Sequence, residues 1–249
     1  MILASNPILC FEPFEAVFKE INAKFQGWEF LAEAEHGWTN RDKIKDVLST
    51  SDIKIQIHAP FNDLNISSIN PTLRKASVEE IVRTLDLAVL IDVDLVTVHP
   101  GFYSPIGRSW EGTIDAQFIS LGKIYREAKE RGIRTAIENM PAPYPTLGIQ
   151  PEEIKHILEK SKLDLCLDIG HAFTTGKLNE FLNFKPINIH LHDNEGDKDL
   201  HLPLGQGKID FRTVIKKQKE YRGNWVIEGR SFESLELSKE YLEALLSNE

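Results

Sequence analysis

The sequence is poor in cysteine, in long apolar runs and in positive charge. Two cysteines, Cys10 and Cys166, cannot build a disulfide framework in a chain of 249 residues. No run approaches the roughly 18 apolar residues of a membrane-spanning helix, so no membrane partner is expected. The opening MILASNPILCFEPFE lacks a basic segment and carries acidic residues early. It reads as mature sequence rather than a signal peptide, and a cytoplasmic location is the expectation. No Gly/Ser-rich linker, low-complexity tract or short repeat divides the chain, which favours a single domain over residues 1–249. Lysine and arginine number 29 against 38 acidic residues, a net charge of −9. That balance disfavours nucleic acid as a partner, since a duplex binder normally shows a basic patch. The argument weakens if acidic residues hold cations: three divalent ions would leave a charge of about −3. Local basic groups then matter more than the total.

What is present is an alternation. At 41% hydrophobic and 27% charged, the composition is that of a globular protein with a sizeable core. Short β-branched runs at residues 2–5, 28–32, 53–58, 95–99, 134–138, 163–168, 187–192 and 225–228 read as strands. Amphipathic segments lie between them. In 113–131, Ile114, Phe118, Leu121, Tyr125 and Ala128 step by four and three, one helical face. In 77–90, Val78, Ile81, Val82, Leu85 and Val89 do the same. PEEIKHILEK begins with proline and acids and ends near a lysine, and FESLELSKEYLEALL reads as a closing helix. Eight strands alternating with helices in about 250 residues predict an α/β fold, a parallel (β/α)₈ TIM barrel; the runner-up is an open doubly wound sheet. In a barrel the eight strand ends converge on one mouth, so side chains from many strands can meet there.

The strand ends are where the chemistry lies. IQIHAPF ends in His58, VTVHPGF in His99 and TAIENMP in Glu138. LCLDIGHAF supplies Asp168 and His171, INIHLHDN supplies His190, its loop continues to Asp199 and His201, and WVIEGR supplies Glu228. Taken singly, a histidine after an apolar run is usually a satisfied buried residue, an aspartate before a helix is usually a cap, and a glutamate a salt-bridge partner. Six consecutive strands ending this way argue otherwise. Converging carboxylates and imidazoles are costly to desolvate without cations, and few basic residues stand at these ends to pair them. Imidazole and carboxylate are the ligand set of zinc, manganese or iron. His190 and His192 are two apart and face the same way; one is expected to be the strand-seven ligand and the other to sit just beyond the rim. His36 and His156 lack this context, with His156 expected on a helix surface. Cys166 is expected to be a small core residue, and Glu33 and Glu35 are candidates for lining the mouth.

The set IHAPF, VHPG, IEN, LCLDIGHAFTTG, IHLHDNEGDKDLHLPLGQGKID and VIEGR resembles, in order, the motifs of the xylose isomerase-like barrel superfamily. That superfamily includes the endonuclease IV (AP endonuclease) family and the sugar phosphate isomerase/epimerase family. The resemblance covers about residues 50 to 230. With endonuclease IV it implies up to three ions, zinc above all. His58, His99 and Glu138 would hold one; Glu138, Asp168, His190 and Glu228 a second, Glu138 bridging; His171, Asp199 and His201 a third. Phosphoester hydrolysis, as at abasic DNA, would follow, with Glu228 orienting or deprotonating the nucleophile. The isomerase and epimerase relatives imply one metal at Glu138, Asp168, His190 and Glu228, a sugar or sugar-phosphate substrate, and proton transfer by Glu138 and Glu228. A third alternative is a metal- or sugar-binding module without turnover. Arg108, Lys208 and Arg230 are candidate phosphate contacts, and Trp38 and Arg41 in EHGWTNRDK candidate wedge and phosphate contacts. The loop APFNDLNIS departs from the tyrosine-centred pattern associated with DNA insertion, which weakens the case for DNA more than the case for metal. His171→Ala discriminates: a three-metal hydrolase should lose one ion per chain by elemental analysis, whereas an epimerase should keep its metal and bind substrate more weakly.

Overall fold

Eight short strands close on one another. The computed structural model describes residues 1–103 and 110–247. In it β1 (Ile2–Ser5), β2 (Gly27–Leu31), β3 (Lys54–His58), β4 (Leu95–Val98), β5 (Arg134–Glu138), β6 (Asp164–Asp168), β7 (Asn188–Leu191) and β8 (Trp225–Glu228) pair in chain order, all parallel. β8 returns to β1, with Trp225 beside Ile2 and Glu228 beside Ser5. The fold is a closed (β/α)₈ barrel, and the open sheet is excluded. The strand bounds fall within one residue of those read from the β-branched runs.

Helices separate the strands: α1 (Phe14–Lys24), α2 (Arg41–Leu48), α3 (Pro71–Leu90), α4 (Trp110–Glu130), α5 (Pro151–Ser161), the short α6 (Ile169–Thr174) and α7 (Leu178–Phe181) after β6, α8 (Phe211–Lys217) and α9 (Phe232–Leu246). α3 starts six residues before the apolar period that announced it. The Asn70 side chain accepts from the Thr72 and Leu73 amides, and Pro71 fills the first turn. Its buried face is Val78, Ile81, Leu85 and Ala88, so Val89, expected on that face, points to solvent. On α4, Leu121 and Ala128 are fully buried while Phe118 and Tyr125 are only partly so. Ile124 takes the place expected of Tyr125. Among the described residues, no helix is long and apolar enough to cross a membrane.

Strand alternation stacks the barrel interior in layers. Leu95, Ala136 and Cys166 pack at one end with Ile187, so Cys166 is the small core residue its context predicted. The next layer is polar. Glu29, Gln56, Thr97 and Asn188 are all buried. Gln56 Nε2 donates to Glu29 Oε2 at 2.8 Å, and Asn188 Nδ2 reaches the same oxygen at 2.8 Å and Thr97 Oγ1 at 3.1 Å. Above it, at the carboxyl ends of the strands, lie the histidines and acids. Most apolar burial is outside the barrel, between strands and helices.

His36 belongs to that outer core. Its ring sits against Phe14, Trp28 and Phe30, and Nε2 is 3.1 Å from the Glu12 carbonyl. Burial pushes its pKa down from 6.5 to about 4, against the opposing pull of that carbonyl. The unfolded chain therefore binds a proton that the folded chain refuses, and stability falls as pH drops from 6.5 to about 4. The expected loss from this one group is about 3 kcal/mol. Denaturant unfolding at the two pH values should show that difference shrinking by a similar amount in His36→Phe.

Candidate metal centre

The mouth side chains are positioned by strand ends and by the turns that follow them. Asp168 closes β6 and caps α6: its Oδ1 accepts from the His171 amide at 2.6 Å. The cap and the site are thus one residue, with Oδ2 left facing the mouth. Asn139 locks β5 to β6, its amide donating to the Asp168 carbonyl and its Oδ1 accepting from the Asp168 amide. The loop carrying Asp199 and His201 is gathered by Asp193. Asp193 and Leu202 exchange both backbone hydrogen bonds. The Asp193 carboxylate accepts from the amides of Asn194, Gly205, Gly207 and Ile209 at 2.9–3.1 Å. A Cβ on Gly207 would come within 2.4 Å of Asp193 Oδ1, so glycine is required there.

Glu138 is the hub. It is buried at the end of β5. Oε2 lies 3.0 Å from His58 Nε2 and 3.1 Å from His99 Nε2. Oε1 lies 3.3 Å from His190 Nδ1 and 3.4 Å from His171 Nδ1. A carboxylate whose two oxygens face different donor groups is built to bridge. His190 Nδ1 is also 3.1 Å from Glu228 Oε1 and 4.0 Å from Asp168 Oδ2. Further out, Asp199 Oδ2 is 3.5 Å from His171 Nε2 and 3.2 Å from His201 Nε2. All nine residues expected to meet at the mouth lie in these contacts.

The donor set fits divalent cations. Two donors on one tetrahedral ion with bonds of about 2.0–2.1 Å stand about 3.3 Å apart, close to the spacings found here. The tautomers agree. His58 Nδ1 is 2.8 Å from the Ala59 carbonyl, which only accepts, so this nitrogen carries the proton and Nε2 keeps a lone pair towards Glu138. The Asn139 carbonyl, 2.9 Å from His171 Nδ1, leaves His171 Nε2 free in the same way. Several buried atoms have no hydrogen-bond partner: Asp168 Oδ2, Asp199 Oδ1 and His190 Nδ1 among them. Buried polar atoms left so call for a further group.

In the metal-free chain, protons substitute for cations. Burial opposes charging of His171, yet Asp168, Asp199 and Glu138 raise its pKa well above the ordinary value. Burial likewise opposes charging of His190, and Glu29, Glu228 and Glu138 raise it. Burial would lift Glu138, but His190, His58 and His99 hold it well below the carboxylate range. Cations binding here must displace protons.

One residue escaped the sequence reading, and a second was named there but left open. Glu29 lies inside the apolar run GWEFL of β2; a lone carboxylate there was its one signal. It is fully buried, and its Oε1 lies 2.8 Å from His190 Nε2, so it orients the ring from behind. His192, expected past the rim if His190 was the ligand, is as fully buried as His190. Its Nε2 is 3.2 Å from Asp168 Oδ1 and 3.4 Å from Asp199 Oδ1.

The remaining candidates stay at the edge. Arg230 is exposed and donates to the Asp199 carbonyl at 3.2 Å. Lys208 is exposed and paired with Glu195 at 2.6 Å. Trp38 is partly buried against the core beneath the Arg41 guanidinium, 4.7 Å from the ring centroid. Arg108 lies outside the described residues. Glu33 is half-buried and accepts from Asn62, while Glu35 is exposed. His156 is exposed on α5, as its helical position predicted.

Residues 18–247 match the model of the xylose isomerase-like TIM barrel family. The chain belongs to that family. This xylose isomerase-like barrel is 36% identical over 238 residues to an uncharacterized protein, MJ1311, of Methanocaldococcus jannaschii, covering 88% of this chain and 81% of that one. It is 32% identical in sequence to the crystal structure of a D-tagatose 3-epimerase-like protein, with a TM-score of 0.91, covering 100% of this chain and 98% of that chain. It is also 28% identical over 202 residues to a probable endonuclease 4 of Aquifex aeolicus, covering 71% of this chain and 69% of that protein. The family thus has relatives named for DNA cleavage and for sugar epimerisation.

Glu138→Gln tests the hub. It removes a charge shared by two donor groups, so zinc titration of the metal-free variant should show more than one equivalent weakened, by roughly tenfold to a hundredfold or more. Loss confined to a single equivalent would show that Glu138 does not bridge.

Proposed function

We propose that the protein is a divalent-metal-dependent phosphoester hydrolase of endonuclease IV type, holding zinc, manganese or iron at up to three positions. The observation that carries this is the division of Glu138, with His58 and His99 on one oxygen and His190 on the other, while His171, tied through Nδ1 to the Asn139 carbonyl, turns Nε2 to Asp199. An isomerase centre of Glu138, Asp168, His190 and Glu228 has no use for His58, His99, Asp199 and His201 as donors. Bound cations in such a cluster would lower the pKa of water and stabilise charge in an in-line displacement at phosphorus. The chain's own groups prepare that step. Burial would raise the pKa of Glu228, but His190 and His201 bring it to about 2. Glu228, at the end of β8 against His190 and His201, would orient or deprotonate the nucleophile. Glu138 is likewise held anionic, as a bridging ligand requires. Arg230, at the rim beside Asp199, is placed to meet a phosphate.

A second reading is a ketose epimerase or sugar-phosphate isomerase. It is favoured by the full-length likeness to the D-tagatose 3-epimerase-like structure and by the two glutamates meeting across His190. Against it, further donors gather at the same mouth: His58 and His99 beside Glu138, and Asp199 and His201 beside His171.

Metal-loaded protein should cleave a duplex at an abasic site, and Glu228→Gln should lower kcat by roughly a hundredfold or more and weaken one zinc equivalent. Incubation with a panel of ketoses in deuterium oxide should leave carbon-bound hydrogen unexchanged. Exchange without phosphoester cleavage would replace the first reading with the second.

A further inference from the structure

We propose that His192 is a fourth protein ligand of the cation position formed by His171, Asp199 and His201, making that position a closed one. This rests on reading the mouth as a metal centre, and it departs from the three-ligand set that the endonuclease resemblance implies there.

The ring is held where a ligand is needed. One donor atom from each of His171, His192, Asp199 and His201 lies within 4.8 Å of the others. Asp199 Oδ2 is 3.5 Å from His171 Nε2 and 3.2 Å from His201 Nε2, and Asp199 Oδ1 is 3.4 Å from His192 Nε2, so one carboxylate lies against all three imidazoles. His192 is fully buried, yet neither ring nitrogen has a hydrogen-bond partner. Nε2 stands 3.2 Å from Asp168 Oδ1, which accepts from the His171 amide at 2.6 Å. A buried imidazole kept only for packing would be replaced at no loss by an apolar side chain.

The fold has made room for this ring in particular. A Cβ on Gly170 would fall 2.0 Å from His192 Cε1, so only glycine at the start of α6 admits the imidazole. His201 stacks on it with centroids 3.9 Å apart and planes 18° apart. Pinned so, His192 cannot rotate its Nε2 away from Asp168 and Asp199.

Three imidazoles and a carboxylate would complete a four-coordinate site with no open position, a closure that structural zinc sites share. This ion would fasten the loop carrying Asp199 and His201 to α6 and leave substrate to the positions around Glu138, where His58 and His99 supply fewer protein donors.

Metal-free protein titrated with cobalt(II), followed by visible absorption, and with zinc, followed by calorimetry, tests this. In wild type one equivalent should give the intense d–d bands of tetrahedral cobalt. His192→Asn should abolish those bands and weaken one zinc equivalent at least a hundredfold, the others unchanged. Gly170→Ala keeps the imidazole but displaces it, and should weaken the same equivalent, which serves if His192→Asn fails to fold. His201→Ala should affect that same equivalent, and the double variant with His192→Asn should lose no second one. Unchanged zinc affinity and cobalt spectrum in His192→Asn and Gly170→Ala would overturn the assignment while leaving a metal centre standing. Wild-type protein that takes up no metal would instead remove the reading on which it rests, and the assignment with it.

Discussion

One buried carboxylate organises the mouth. Glu138 has imidazoles on both oxygens, from strands three, four and seven and from the helix after strand six. A single anion in the middle of a barrel would be heavily penalised by desolvation. It is tolerated because positive charge, on protons or on metal, is available all round it. That requirement explains why histidines end three of these strands, why Asp168 turns its free oxygen inward while capping α6, and why Asn139 ties β5 to β6 just behind.

Barrel interiors are usually filled by branched apolar side chains. This one carries a polar layer of Glu29, Gln56, Thr97 and Asn188 beneath the ligands. The layer reaches His190 through both Glu29 and Asn188, and Gln56 accepts from Asn224 at its edge. It fixes a ring nitrogen from the side away from the mouth, the same device that the Ala59 and Asn139 carbonyls apply to His58 and His171. Three mouth histidines are thus oriented by two kinds of neighbour, a buried carboxylate and two backbone carbonyls.

The barrel was legible in the sequence because each strand is a short β-branched run and each helix shows its own period. Boundaries slipped where capping, not hydrophobicity, decides them, as at Asn70 and Pro71 ahead of α3. Six of the nine mouth residues were legible because they end apolar runs; His171 follows in the next turn, and Asp199 and His201 stood out by the concentration of imidazole and carboxylate in the loop after β7. Glu29 was hidden for the opposite reason: it sits within such a run, and only the closure of the barrel reveals that its side chain points to His190 rather than to a helix. His192 was ambiguous because strand alternation gives a side but not a depth. Its depth is set by Gly170, from another strand's turn, a pairing that no local pattern displays.

The loop after β7 is tied at its neck by Asp193, which gathers four amides from Asn194 to Ile209. The segment is therefore a fixed aperture rather than a shutter. A molecule entering the mouth past this segment meets a rim whose shape these four amide hydrogen bonds hold.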